Sequence, residues 1–408
     1  VILFFTCLVS LSVILGLFGL TIAFYFFLRG VDRSRLPDNE LPFVSILVPA
    51  RNEELKIGRC LESLLNQDYP NFELVVIDDR STDRTGEIIE QFAKKDKRVK
   101  FVRGKDAPDG WIGKCNALAH AVGYASGDWF VFTDADTCHK PNSVRDAVSY
   151  ALSTKSDLIS FVPLQELKSF WERVVMTVLL SSFVVGDPFH AVNDPRKKRA
   201  YAYGQYILCR KNSYLAIGGH QSVRDEIVED HAIAQVFKEK GYKILVADGK
   251  TLYSVRMYTN LETMWQGWTK NLYSLIDSRI INLVLIVLLI NFSVFVPWVE
   301  LGLVARAWIE GDSNPYLCDV TNLVVAQFFL LIVWFKLTQE HRQGVNWSAF
   351  FLMPLGSLAV TVLQIHAAYL VLSGSQVKWK GRQYTVNTAK TIQPMIANAF
   401  EPASEEHS

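Results

Sequence analysis

No two of the six cysteines, Cys7, Cys60, Cys115, Cys138, Cys209 and Cys318, have the C-x-x-C spacing of a zinc site or a redox dithiol. Their scatter fits free thiols in a reducing compartment. Charge is also sparse, at 20% of residues, and it sums to a formal +1. So small an imbalance makes no field that would gather a polyanion, and nucleic acid is not an expected partner. No internal repeat or low-complexity segment stands out along the 408 residues.

What the chain has in quantity is apolar length. Half its residues are hydrophobic, and its size suits two or three structural units. Residues 1–28 carry no charged side chain, enough to cross about 30 Å of hydrocarbon as a helix, and Arg29, Arg33 and Arg35 follow. This predicts a retained N-terminal transmembrane helix over 1–28, since a cleaved signal has a shorter apolar region and a small-residue cleavage site. Three more apolar stretches, 281–307, 320–336 and 348–373, predict C-terminal transmembrane helices within 281–373, ahead of a polar tail at 374–408. The arginines after the first span place the central region in the cytoplasm, as do Lys336, His341 and Arg342 between the last two. The acidic loop with Glu310, Asp312 and Asp319 then faces outward. Three passes would leave the tail outside, whereas Lys378, Lys380, Arg382 and Lys390 favour the inside. A re-entrant stretch near Pro297 or Pro354 would reconcile the two signals.

From Phe43 to about Tyr253 the pattern changes to short apolar runs separated by amphipathic ones. Strands are expected at 44–48, 74–77, 99–102, 129–133 and 158–161, with helices at 53–66, 84–93, 114–122 and 143–152 between them. Such alternation predicts an α/β unit with a mainly parallel sheet and helices on both faces. Ligands of these sheets bind beyond the carboxyl ends of the strands, so the residues following each strand are the ones to read.

After the first strand comes Pro49-Ala50-Arg51-Asn52-Glu53-Glu54, and after the second Asp78-Asp79-Arg80-Ser81-Thr82-Asp83. Carboxylates at a strand end accept hydrogen bonds from a base or ribose, and Ser81 or Thr82 is placed to cap the next helix. The fourth strand runs into Thr133-Asp134-Ala135-Asp136. In extended backbone, side chains two apart point the same way, which would let Asp134 and Asp136 converge on one hard divalent cation, Mg²⁺ or Mn²⁺. A diphosphate needs such a cation to approach so many carboxylates, and the cation would stabilise its charge as it leaves. Lys114, in Gly110-Trp111-Ile112-Gly113-Lys114, starts a helix and is placed for a phosphate contact, although the spacing is not that of a Walker motif. Farther on, Glu229-Asp230-His231 opens another helix. A direct displacement needs a base for the acceptor proton, so Asp230 is the expected base and Glu229 the alternative on the acceptor side. His139, His220 and His231 are further candidates for metal or substrate, against a structural role.

The ordered set Pro49-Ala50-Arg51-Asn52-Glu53, Asp78-Asp79, Asp134-Ala135-Asp136 and Glu229-Asp230 resembles the inverting family 2 glycosyltransferases of the GT-A fold. The resemblance implies a Rossmann-like nucleotide-diphospho-sugar transferase domain, flanked here by transmembrane helices. It spans roughly 43–275, read as a cytoplasmic domain with interfacial helices. It implies that the first two sets hold the nucleotide-diphospho-sugar, a UDP-sugar foremost, that Asp134 and Asp136 hold the metal, and that Asp230 is the base. The flanking helices and the Gly113-Lys114 segment are similar to the lipid-modifying branch, such as ceramide glucosyltransferases and bacterial hopanoid- or carotenoid-associated enzymes. A multi-pass protein of the bacterial cell membrane with a lipid acceptor is therefore expected. Where processive relatives carry Gln-x-x-Arg-Trp, this chain has Trp265-Gln266-Gly267-Trp268-Thr269-Lys270-Asn271. That departure disfavours a polysaccharide synthase of the same fold, and the acidic sites disfavour a non-catalytic scaffold. Trp265, Trp268 and Lys270 are acceptor-side candidates, with an interfacial helix as the other reading. Residues 167–186 read as a second interfacial helix, and Arg196-Lys197-Lys198-Arg199 as a headgroup contact or a solvated run.

Overall fold

The computed structural model describes residues 2–31, 36–186, 189–275, 280–373, 375, 377–379 and 382–384. Arg33, Arg35, Lys380, Lys390 and most of the expected tail lie outside the described residues. The chain divides into two compact units, one of residues 27–166 and 189–257, the other of 1–26, 167–188 and 258–408.

The first unit is the α/β layer structure. Its strands and helices in chain order are β1 Val44–Ala50, α1 Ile57–Leu65, β2 Phe72–Asp78, α2 Thr85–Lys95, β3 Val99–Arg103, α3 Gly113–Val122, β4 Trp129–Thr133, β5 Thr137–His139, α4 Ser143–Thr154, β6 Leu158–Val162 and β7 Leu164–Glu166. They continue with β8 Tyr206–Arg210, α5 Glu229–Glu239, β9 Ile244–Asp248 and β10 Tyr253–Val255. The main sheet runs in the order Arg29–Gly30, β9, β6, β8, β4, β1, β2, β3. All its pairings are parallel except those of β8, which lies antiparallel between β4 and β6.

Near-continuous apolar runs suit strands covered on both faces, and β4 and β6 are buried throughout. Helix α1 places Ile57, Cys60, Leu61 and Leu64 at i, i+3, i+4 and i+7, and all four are buried against the sheet side of the core. Burying each leucine contributes about 1.5–3 kcal/mol, so this stripe fixes the helix and with it the polar loop that precedes it. A short second ladder pairs β10 antiparallel with β5 and parallel with β7.

The other unit is helical and apolar. Four stretches, Ile2–Phe27, Leu283–Ile309, Leu317–His341 and Met353–Leu370, are long and apolar enough to cross a membrane. Polar side chains tie its helices to one another: Ser10 Oγ donates to Glu300 Oε1 at 3.2 Å, Trp334 Nε1 to Thr21 Oγ1 at 2.8 Å, and Asn291 Nδ2 to Thr361 Oγ1 at 2.9 Å. Residues 167–186 form a π-helical turn, Glu172–Met176, followed by the helix Thr177–Gly186, all within this unit.

Candidate active site

The loops after β1 and β2 are interlocked. Asn52 N–H donates to Ser81 Oγ at 3.0 Å, Thr82 N–H to Asn52 Oδ1 at 2.8 Å, Glu53 N–H to Thr85 Oγ1 at 2.8 Å and Arg51 Nη1 to the Asp79 carbonyl at 2.7 Å. Asn52 and Arg80 both take the left-handed conformation, with φ of 51° and 57°. Asn tolerates this region and Arg seldom does, so the cross-loop bonds hold a backbone that would otherwise relax. Ser81 and Thr82 thus tie the first loop, and neither caps α2, whose first N–H, that of Thr85, donates instead to Asp83 Oδ1 at 3.0 Å. The Asp78 carboxylate accepts from Ser81 N–H at 3.0 Å, and Asp79 is buried at 5% exposure. Gly104 follows β3 where a Cβ would come within 2.8 Å of the Asp78 carbonyl oxygen, so a bare backbone is needed to close this corner.

The expected convergence of Asp134 and Asp136 through extended backbone is corrected by a turn. β4 stops at Thr133, residues 135–136 turn, and β5 begins at Thr137. The two carboxylates face different lysines. Lys114 Nζ lies 2.8 Å from Asp134 Oδ1 and 2.7 Å from Glu229 Oε1, while Lys56 Nζ lies 3.6 Å from Asp136 Oδ2 and 3.7 Å from Glu53 Oε2. Among the described residues no group of three or more His, Cys, Asp or Glu side chains is arranged to hold a metal. The donor set that Asp134 and Asp136 offer is all carboxylate oxygen, which suits a hard cation.

Asp230, in the first turn of α5, is gripped by backbone. Gly204 N–H donates to its Oδ2 at 2.7 Å and His231 N–H to its Oδ1 at 2.9 Å. The 201–205 loop that supplies Gly204 is fixed on both sides, since Tyr203 N–H donates to Ser160 Oγ at 2.6 Å and Thr133 Oγ1 donates to the Gln205 carbonyl at 2.8 Å. Burial raises the Asp230 carboxyl above the usual range, and the Glu229 charge adds to this while His231 and Lys114 oppose it. At Lys114 burial works against the charge, but Asp134, Glu229 and Asp230 outweigh it and hold the ammonium well above the ordinary lysine range.

Lys114, Asp134, Gly204, Glu229 and Asp230 line one open cleft. Lys114, Asp134, Glu229 and Asp230 bring charge to its lining, which also includes Pro49, Gly204, Leu118, Phe132 and Ile207. Lys114, expected at a phosphate, is here the bridge between two acids. His220 also lines the cleft, its Nδ1 2.7 Å from Tyr214 Oη, and burial pushes it down to about 4. His139 sits in the core, its ring nitrogens meeting Thr133, Thr137 and Ser143, and burial pushes it down to about 3. Of the acceptor-side candidates, Trp265 donates to His366 Nδ1 at 3.0 Å and Trp268 to Met176 Sδ at 3.0 Å, all within the helical unit. Lys270 lies on the same helix, Leu261–Leu275. The sequence reading missed Lys56, Gly104 and Gly204. For Gly104 the signal was a glycine directly after a strand.

Residues 45–230 match the sequence model of Glycosyl transferase family 2, a stretch that includes both interlocked loops, the Asp134 turn and Asp230. Residues 45–230 are a glycosyltransferase domain, matched to family 2. The glycosyltransferase is 27% identical over 350 residues to the 4,4'-diaponeurosporenoate glycosyltransferase of Staphylococcus aureus strain USA300, covering 84% of this chain and 88% of that relative. The solved structure of a mannosyltransferase from Pyrobaculum calidifontis in complex with GDP-Man and Mn²⁺ is similar at a TM-score of 0.49 and 18% identity, covering 90% of this chain and 99% of the other. Residues 1–349 of TarS from Staphylococcus aureus in complex with UDP-GlcNAc are similar at a TM-score of 0.38 and 16% identity, covering 84% and 96%. By the family match and the diaponeurosporenoate glycosyltransferase relative, the α/β unit is a glycosyltransferase domain, and the enzyme transfers a sugar from a nucleotide-activated donor.

Proposed function

We propose that this glycosyltransferase moves a sugar from a nucleoside-diphosphate carrier, UDP foremost, to a lipid of the bacterial cell membrane, by direct displacement with inversion at the sugar carbon. The observation that carries the reading is the Asp230 carboxylate, held in the cleft by the Gly204 and His231 N–H groups and raised toward neutrality by burial. A carboxylate with that shift takes a proton more readily than an exposed one, as an acceptor base must. Glu229 is engaged by Lys114, which leaves Asp230 the better choice of the adjacent pair.

The interlocked loops around Arg51, Asn52, Glu53, Asp78 and Asp79 are read as the nucleotide end of the cleft, with Lys114 near the diphosphate. Asp134 and Asp136 would hold Mg²⁺ or Mn²⁺, as their hard oxygen donors suit. When bound, such an ion supplies Lewis-acid stabilisation of the leaving diphosphate. A lipid acceptor is supported by the four helices long and apolar enough to cross a membrane, and by the carotenoid acid in the name of the Staphylococcus aureus relative. The arginines after the first helix and the basic residues between the last two support a catalytic unit on the cytoplasmic side.

The test is to incubate purified enzyme with UDP-sugars and a bacterial membrane lipid extract, following diphosphate release and identifying the product by mass spectrometry. A lipid-linked sugar of inverted anomeric configuration is expected. A polymer, or sugar released only to water, would overturn the lipid-acceptor reading.

A further inference from the structure

Arg342 directly follows the third apolar stretch and is buried, at 9% exposure. Its Nη2 donates to Ser181 Oγ at 2.7 Å and its Nη1 to Thr338 Oγ1 at 3.4 Å. Both hydroxyls give their own protons to helix carbonyls, Ser181 to Thr177 at 2.7 Å and Thr338 to Phe335 at 3.0 Å, so each presents a lone pair to the guanidinium. Neither brings a negative charge. Among the described residues no carboxylate lies within ion-pair distance of Arg342, and it makes two of the five N–H bonds a guanidinium offers.

A buried charge with only neutral partners is costly, and the cost is recovered when an anion completes the site. Two hydroxyl acceptors alone do not offset the desolvation of a guanidinium. The surroundings also suit a ligand from the membrane. Ser181 belongs to the helix Thr177–Gly186 and Thr338 to the helix Leu317–Thr338, and the ring of the neighbouring His341 packs 5.6 Å from Tyr25 near the end of Ile2–Phe27. All these residues belong to the helical unit, and Thr338 and Tyr25 lie at helix ends that the basic residues assign to the cytoplasmic side. Basic pockets between membrane helices on that side take phosphate headgroups.

We propose that Arg342, with Ser181 and Thr338 fixing its guanidinium, forms an oxyanion site that takes the phosphate group of an anionic lipid. The site is separate from the transfer chemistry and stands whether or not Asp230 is the base.

The experiment uses the full chain in neutral detergent, measuring thermal unfolding with phosphatidylglycerol, with phosphatidylcholine, and with inorganic phosphate. Phosphatidylglycerol near a hundred times its dissociation constant should raise the midpoint by about 3–5 °C over phosphatidylcholine. Arg342→Gln should lose that difference, whereas Lys336→Gln, which removes an exposed charge from the same helix, should keep it. A rise with inorganic phosphate that also needs Arg342 would support the oxyanion site and assign it to a free anion instead of a headgroup. A lipid-dependent rise that survives Arg342→Gln, or no rise in the wild type with either probe, overturns the site. Should Arg342→Gln fail to fold, native mass spectrometry of the wild type decides: selective retention of phosphatidylglycerol supports the site, and retention equal to that of phosphatidylcholine refutes it.

Discussion

Gly204→Ala is the sharpest probe of the proposed base. The glycine is not there for its backbone freedom, since its φ lies outside the left-handed region. It is there for space: a Cβ at 204 would sit 2.7 Å from Asp230 Oδ2 and 3.2 Å from both Cβ and Cγ of that residue. Ordinary contacts between carbon atoms lie at about 3.5–4.0 Å, so the methyl would displace the carboxylate by roughly half an ångström to one ångström. The Gly204 N–H bond would lengthen with it. Misplacement by about 1 Å can cost about a hundredfold in rate, and a bond to a charged group contributes about 1.5–3 kcal/mol. Turnover should therefore fall about 10- to 100-fold, with the KM for the nucleotide sugar nearly unchanged, because the nucleotide loops are untouched. The assay is diphosphate release at saturating acceptor. The N–H bond favours the ionised carboxyl, so weakening it should also move the acid limb of the pH–rate profile upward. In an Asp230→Asn background the same substitution should add little, since its effect runs through Asp230. Turnover within about twofold of wild type, or an equal loss in both backgrounds, would refute the reasoning.

Asp230→Asn itself should lower transfer about a hundredfold or more, the scale of general-base loss, while nucleotide-sugar binding by calorimetry is retained. Near-normal turnover with a hydroxyl acceptor would shift the assignment to Glu229. Asp136→Ala should abolish metal-dependent transfer and weaken Mn²⁺ binding measured by electron paramagnetic resonance, and full wild-type activity in chelator would defeat the metal reading. His139, pushed down to about 3 by burial, stays neutral when folded, whereas in the unfolded chain it protonates near 6.5. The unfolded state therefore binds the extra proton as pH falls below 6.5, costing about 2 kcal/mol of stability by pH 5. Thermal melting at pH 7 and pH 5 should show a smaller acid loss in His139→Gln than in wild type, and identical losses would contradict it.

Strands β1 to β4 and β6 and helices α1 to α4 were legible because their signals are local, whereas the short β5 was not expected. A run such as Phe72–Asp78 is apolar nearly throughout, and the stripe of Ile57, Cys60, Leu61 and Leu64 repeats at helical period. Strand β8 was not foreseen, because its antiparallel place between β4 and β6 depends on partners far away in sequence. Three of the acidic motifs were legible because each follows a strand, and Glu229-Asp230 because it opens an amphipathic helix. The turn at 135–136 was not, since nothing in Asp-Ala-Asp marks where the ladder stops. Gly204 was invisible for a similar reason: its role is a contact with a residue 26 positions on, across a loop whose course the sequence does not state.

The charges of the site explain why two lysines matter as much as the acids. Asp134, Asp136, Glu229 and Asp230 crowd one region of the sheet edge, and Lys114 and Lys56 each approach at least one of them. Lys114 joins the two ends of the cleft, because one of its partners is the acid after β4 and the other stands beside the proposed base. A change in charge at Asp134 is therefore felt at Glu229 through a single ammonium, and from there at Asp230, whose carboxyl responds to the Glu229 and Lys114 charges. The two acids on either side of this cleft are thus linked through the one Lys114 ammonium.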